Sequence, residues 1–112
     1  MKDISYISGY KIMWLFVLFD LPTETQENKK DYREFRNLLL DSGFTQLQYS
    51  VYIKCLDNKT KQDKIESTLN HNLPPQGNIS IFSITDKQYG SIKSFIGKKK
   101  KKNNTENQLA LF

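Results

Sequence analysis

The chain has 112 residues, which predicts one domain with a small hydrophobic core. Seventeen Lys and Arg residues against twelve Asp and Glu residues give a net charge of +5. This charge favours a polyanionic partner such as nucleic acid, although a generic basic surface has the same composition. The single cysteine, Cys55, excludes an internal disulfide and argues against a zinc site. We therefore expect a soluble protein in a reducing, cytoplasmic setting, with no membrane partner because no apolar run is long enough to cross a bilayer.

An apolar run from residue 13 to residue 19 predicts the central strand of the domain. Seven consecutive apolar residues, rich in aromatics, fit a strand that is covered on both faces. The run ends at Asp20, and Pro22 then stops strand pairing. Asp20 is therefore predicted to lie, ionised, where the strand leaves the sheet. The alternative is that Asp20 only organises the turn into the next helix.

A first helix is predicted to begin near residue 24. Thr23 and Gln26 have the spacing of a capping box, and Gly43 supplies a left-handed stop. The apolar positions that recur at three- and four-residue spacing are Tyr32, Phe35, Leu38 and Leu39. This spacing places one apolar face of the helix against a sheet.

The other face of this helix is basic. Its cations are Lys29, Lys30, Arg33 and Arg36. Helical spacing places Lys29, Arg33 and Arg36 along one ridge, which predicts a surface for nucleic-acid phosphates. The alternative is a solvated helix face on which Asp31 and Glu34 partly compensate the charge.

The following segments predict strands at 44–48, 51–56 and 78–84, with a second helix over 59–72. Asp57 or Asn58 would cap that helix, and His71 would be a solvated residue at its end. The apolar stripe of the helix consists of Ile65, Leu69 and Leu73. The order strand, helix, strand, strand, helix, strand is that of a ferredoxin-like α+β sandwich. Because the strands carry apolar residues on both faces, we expect a second copy to cover the sheet face that the helices leave open.

The C-terminal part changes composition twice. Thr85 and Gln88 have capping-box spacing and precede a short helical turn with Tyr89, Ile92 and Ile96. The ferredoxin-like domain is predicted to span 1–97, and the lysine-rich segment 98–107 is predicted to be a flexible basic linker. Residues 108–112 are apolar again and predict an extra docking strand through Leu109, Leu111 and Phe112, with a disordered end as the alternative.

Several short segments carry a family resemblance when their order and spacing are taken together. These segments lie at 10–13, 18–25, 32–36, 43–44, 48–52, 77–79 and 85–88. They include Leu18-Phe19-Asp20-Leu21-Pro22 and Gln48-Tyr49-Ser50-Val51-Tyr52. Over residues 10–97 the sequence resembles the CRISPR-associated protein 2 family, in the form found alongside single-effector type II loci.

The resemblance implies a ferredoxin-like homodimer in which Asp20 of each subunit faces its mate across a bridging Mg²⁺. It also implies a scaffold for spacer acquisition that binds protospacer duplex DNA and bridges subunits of the CRISPR-associated protein 1 integrase. The alternative function is a Mg²⁺-dependent endonuclease that cleaves single-stranded RNA or double-stranded DNA, with Asp20 as catalytic residue and metal ligand. We rank the scaffold first because the sequence shows no clear general base and no second acidic motif near Asp20.

Overall fold

The computed structural model describes residues 12–97. Its elements in chain order are β1 (Met13–Asp20), α1 (Gln26–Asp41), β2 (Thr45–Gln48), β3 (Val51–Leu56), α2 (Lys59–Asn70), β4 (Asn78–Thr85) and α3 (Asp86–Gly90). The linker predicted at 98–107 and the docking strand predicted at 108–112, with Leu109, Leu111 and Phe112, lie outside the described residues. No helix within residues 12–97 has the length and apolar character that a membrane crossing requires.

The four strands form one antiparallel sheet in the order β2-β3-β1-β4. The apolar run of β1 lies between β3 and β4, as its composition predicted. Its last residue, Asp20, lies opposite Asn78, the first residue of β4. This order of strands and helices confirms the predicted ferredoxin-like α+β fold.

The core lies between the sheet and the two long helices. Because side chains alternate along a strand, Leu15, Val17 and Phe19 of β1 all lie on the helix side, and each is at most 5% exposed. The other buried members of this core are Leu21, Phe35, Leu39, Phe44, Tyr52, Leu56 and Leu69. The helical spacing predicted for α1 is confirmed, since Tyr32 and Leu38 pack against the same core.

The opposite face of the sheet is apolar and only partly covered. Phe16 of β1 stacks on Phe82 of β4 with ring centroids 5.1 Å apart. Next to Phe16 on this face, Tyr89 of α3 stacks flat on Trp14, with ring centroids 3.8 Å apart. The sequence predicts that a second copy covers this face. In the structure α3 itself covers the end near Trp14, and Phe82 is 44% exposed. The predicted dimer through this face stays a prediction.

The start of α1 differs from its prediction. Thr25, and not Thr23, is the N-cap: its hydroxyl accepts a hydrogen bond from the Asn28 backbone N–H at 3.0 Å. The Asn28 side chain accepts one from the Thr25 backbone N–H at 3.3 Å and donates another to Gln76 at 3.2 Å. Gln76 lies in the loop before β4, so its contact with Asn28 cannot be predicted from a local sequence pattern.

Two other helices are shorter than predicted. The helix α2 is capped by Asn58, one of the two predicted caps, but ends at Asn70. Leu73 therefore lies beyond the helix and is exposed, while Leu69 is buried as predicted. The helix α3 ends at Gly90, so Ile92 and Ile96 lie outside it and are exposed.

Candidate nucleic-acid interface and metal site

Asp20 is the exposed last residue of β1 and lines a shallow cavity of about 270 Å³ at that end of the sheet. The other residues lining this cavity are Leu18, Phe19, Ser50, Val51, Asn78 and Ser80. The side chain predicted to act at the strand end is therefore accessible from solvent. Its neighbours are strand residues and one turn residue, which provide a fixed frame.

Two turns close around this strand end. The turn Tyr49–Ser50 between β2 and β3 is anchored because the Phe19 backbone N–H donates to the Ser50 carbonyl at 3.2 Å. The loop before β4 passes so close that a Cβ atom on Gly77 would lie 2.7 Å from the Asp20 carbonyl oxygen. Gly77 also has φ +100°, a conformation that side chains disfavour. Both turns therefore hold the backbone at Asp20 in one place.

Four residues that line this cavity carry a side-chain oxygen: Asp20, Ser50, Asn78 and Ser80. Mg²⁺ prefers oxygen ligands, so these residue types are compatible with such an ion. Within residues 12–97, however, no three His, Cys, Asp or Glu side chains lie close enough together to hold a metal ion. The described part of one chain thus offers a single carboxylate here, and a second copy facing it would supply another.

Three cations of α1 share one side of the helix, which we call the basic flank: Lys29, Arg33 and Arg36. At 3.6 residues per turn they fall within about 60° of arc. Lys29 and Arg33 are exposed and Arg36 is half-buried. In the described part of the chain, the ion pairs are Lys59–Asp63 at 3.2 Å and Lys61–Asp57 at 3.1 Å, so none of the three flank cations is paired there.

The acidic side chains of α1 lie on the other side of the helix. Asp31, Glu34 and Asp41 line a cavity of about 420 Å³ together with residues of the loop that follows α2. This segregation argues against the alternative in which Asp31 and Glu34 compensate the basic face. Lys30 lies about 100° around the helix from Lys29, so the structure does not group it with the basic flank.

An aromatic pair beside the basic flank was missed by the sequence analysis. Tyr49 lies in the turn between β2 and β3 and is 73% exposed. Its ring stacks against Tyr32 of α1, with centroids 6.3 Å apart and planes inclined by 28°. Burial, together with the neighbouring Tyr49 side chain, raises the pKa of Tyr32 to about 12. The available sequence signal was an aromatic residue in a two-residue turn between strands, where small or polar residues are usual.

Two other residues with potential chemistry offer no site. Burial and the charges of Asp86 and Asp57 raise the pKa of the Cys55 thiol, which disfavours the reactive thiolate. His71 is the exposed C-cap of α2, as predicted, and its Nδ1 lies 2.7 Å from the Ser67 carbonyl oxygen. Neither residue lines the cavity at Asp20.

Comparison with known proteins gives one family. The family model described as CRISPR associated protein Cas2 matches residues 13–92. A protein of Flavobacterium psychrophilum named CRISPR-associated endoribonuclease Cas2 is 40% identical over 93 residues, which cover 83% of this chain and 81% of the relative. A protein of the same name from Paracidovorax avenae is 40% identical over 92 residues, which cover 82% of this chain and 85% of the relative. A third, from Ligilactobacillus salivarius, is 39% identical over 101 residues, which cover 88% of this chain and 100% of the relative. The matched segment contains the whole sheet, α1, α2 and Asp20, and the chain belongs to the CRISPR-associated protein Cas2 family.

Proposed function

We propose that the protein is the homodimeric scaffold of a CRISPR adaptation complex. In this role it binds duplex DNA and bridges subunits of the CRISPR-associated protein 1 integrase during spacer acquisition. The observation that carries the proposal is the basic flank of α1, whose cations are separated from the acidic side chains of the same helix. The C-terminal residues Leu109, Leu111 and Phe112 are proposed to dock the integrase or the second protomer.

The dimensions of the basic flank suit a DNA backbone. Lys29 and Arg36 are seven residues apart, which corresponds to about 10 Å along a helix axis. Successive base pairs of duplex DNA rise by about 3.4 Å, so this length matches about three phosphates on one strand. A homodimer would present two such flanks at a fixed separation. Contacts of this kind position a duplex without reading its sequence.

The surroundings of Asp20 support the scaffold role over catalysis. Among residues 12–97, no His, Lys, Glu or second Asp lines the cavity at Asp20. Hydrolysis of a phosphodiester gains from a general base within hydrogen-bond reach of the attacking water. In the part of the chain that the structure describes, Asp20 is the only ionisable side chain of that cavity, so it would serve as metal ligand and base together.

The alternative function is a Mg²⁺-dependent endonuclease acting on single-stranded RNA or double-stranded DNA. The relatives are named endoribonucleases, and this name favours the alternative. Asp20 would hold the ion together with Asp20 of a second copy, and bound Mg²⁺ supplies charge stabilisation at a scissile phosphate. The basic flank would bind the strand and keep it over the cavity.

A salt titration of DNA binding tests the proposal. Wild-type protein and the double variant Arg33→Gln/Arg36→Gln are titrated with blunt duplex DNA at several salt concentrations. Each phosphate contact contributes about 0.9 to the slope of log affinity against log salt, so the slope should flatten by about two per protomer in contact. The matched control is Lys59→Gln/Lys61→Gln, which removes two exposed cations of α2 outside the flank. An unchanged slope in the flank variant would leave α1 as a solvated helix face.

A further inference from the structure

We propose that Tyr49 is a stacking platform for an unpaired base of a bound nucleic-acid strand. The inference rests on the proposed nucleic-acid-binding function and adds a single-stranded subsite to a surface that otherwise contacts phosphates. The ligand class is a strand with at least one base free of pairing, such as single-stranded RNA, single-stranded DNA or the unpaired end of a duplex.

The backbone that carries Tyr49 is held from both sides. The Gln46 side chain donates to the Tyr49 carbonyl oxygen at 3.2 Å. The next residue, Ser50, accepts the backbone hydrogen bond from Phe19 of the central strand. The two-residue turn is therefore tied to β2 and to β1, and the ring projects from a fixed position. A fixed aromatic ring loses little conformational freedom when a base binds to it.

Among the described residues, one side of the Tyr49 ring has a partner and most of its surface has none. Tyr32 packs against it with ring centroids 6.3 Å apart and planes inclined by 28°. The 73% exposure of Tyr49 leaves room for a second planar group. A base placed there would extend the existing Tyr32–Tyr49 stack by one ring. Such stacking tolerates any base, because every base has a π face.

The position of Tyr49 links the two parts of the candidate interface. On one side, its partner Tyr32 lies on α1 between Lys29 and Arg36 of the basic flank, three residues after the first and four before the second. On the other side, its neighbour Ser50 lines the cavity that contains Asp20. A strand whose phosphates contact the flank and which continues past Tyr32 to the β2–β3 turn would meet the Tyr49 ring. An exposed aromatic beside a basic groove is the usual arrangement for binding unpaired strands.

Fluorescence and affinity measurements on the full chain test the inference. The probes are a blunt duplex, the same duplex with a single-stranded overhang that carries 2-aminopurine, and single strands of DNA and RNA with the same label. The variants are Tyr49→Ala, Tyr49→Leu, which keeps apolar bulk without a π system, and Tyr49→Phe, which keeps the ring without the hydroxyl. Phe95→Ala is the control, because Phe95 is an aromatic outside the interface that is even more exposed than Tyr49, at 89% against 73%.

The expected result is a loss confined to unpaired strands. Tyr49→Ala and Tyr49→Leu should weaken overhang or single-strand binding by about 5- to 150-fold, the range that base–aromatic stacking supplies. Tyr49→Phe and Phe95→Ala should stay within about twofold of wild type, and blunt-duplex affinity should not change. Wild-type protein should quench the 2-aminopurine through stacking, and Tyr49→Leu should abolish the quenching. The DNA and RNA arms identify which strand binds more tightly.

Several outcomes would overturn the inference. They are an unquenched 2-aminopurine in a saturated wild-type complex, an equal loss in Tyr49→Phe and Tyr49→Ala, and an equal loss with blunt duplex. Each of these leaves the proposed function standing, provided that wild type binds blunt duplex with a steep salt dependence. If wild type binds none of the probes, the proposed function and the inference both fail.

Discussion

The ring of Trp14 lies flat on that of Tyr89, with planes inclined by 9°, and the Trp14 Nε1–H donates to the Asp86 carboxylate at 2.8 Å. These contacts join the first residues of the central strand to α3, across 72 positions of sequence. They explain why a helix of only one turn has a defined place on the sheet. The apolar face predicted to be open is therefore closed at one end by the chain itself.

The contact between Trp14 and Tyr89 can be followed directly, because Trp14 is the only tryptophan in the chain. In Tyr89→Ala we expect Trp14 emission to shift to longer wavelength, since the indole loses its aromatic cover. The free energy of unfolding should fall by at least ~0.5–1.5 kcal/mol, the contribution of an aromatic pair beyond its buried area. Tyr89→Phe is the control and should keep the wild-type emission. The same emission maximum in wild type and Tyr89→Ala would contradict this packing.

The part of the sheet face that α3 leaves open should be the dimer interface. Phe82 is 44% exposed and stacks on Phe16 at its centre. In Phe82→Glu, dimerisation would bury one uncompensated carboxylate from each protomer, at a cost of at least about 3 kcal/mol, or at least roughly a hundredfold in the dissociation constant. Light scattering at micromolar concentration should then give a monomer mass, while Phe82→Leu should remain dimeric. A dimer mass for folded Phe82→Glu would move the interface elsewhere.

The close approach of Gly77 to the β1 end should make this position intolerant of a side chain. A Cβ atom there would lie 2.6 Å from Leu21 Cδ2, and the backbone φ of +100° is strained for alanine. We expect Gly77→Ala to lower the free energy of unfolding by about 1–3 kcal/mol in denaturant titrations. At Gly90 an added Cβ would meet no other side chain or segment within 4 Å among the described residues, so Gly90→Ala should change the free energy of unfolding by less than about 0.5 kcal/mol. Equal stability of the two variants would show that the loop can move away from Asp20.

Substitution of Asp20 separates the two candidate functions. Asp20→Asn keeps the side-chain volume but removes the charge that would hold Mg²⁺. We expect spacer acquisition with the integrase to persist in this variant, because the scaffold role requires the basic flank and not the carboxylate. Any metal-dependent cleavage of RNA or DNA that belongs to the protein should disappear in the same variant.

The control for Asp20→Asn is its assembly. The variant should dimerise, bind blunt duplex and recruit the integrase as wild type does. Facing carboxylates repel without a cation, so its dimer should be at least as stable as that of wild type in the absence of Mg²⁺. Loss of acquisition by a variant that passes these tests would refute the scaffold function and assign the chemistry to Asp20.

Local patterns were sufficient for the elements and for much of the candidate site. The aromatic run of β1 and the helical spacing of Phe35 and Leu39 predicted buried faces, because burial of apolar surface imposes the period of each element. The position of Asp20 at the end of β1 was predicted because a carboxylate directly after such an apolar run lies where the strand ends. The ridge of Lys29, Arg33 and Arg36 was likewise a consequence of 3.6 residues per turn.

Tertiary structure decided the features that depend on distant residues. Asn28 contacts Gln76, and this favours Thr25 over Thr23 as the cap of α1. The place of Tyr49 beside Tyr32 depends on how the β2–β3 hairpin packs on α1, which no local period encodes. The cover of Trp14 by α3 likewise required contacts across most of the chain. Sequence periodicity specifies which face of an element is buried, but only the folded chain specifies which side chains meet there, because those contacts join segments that share no local pattern.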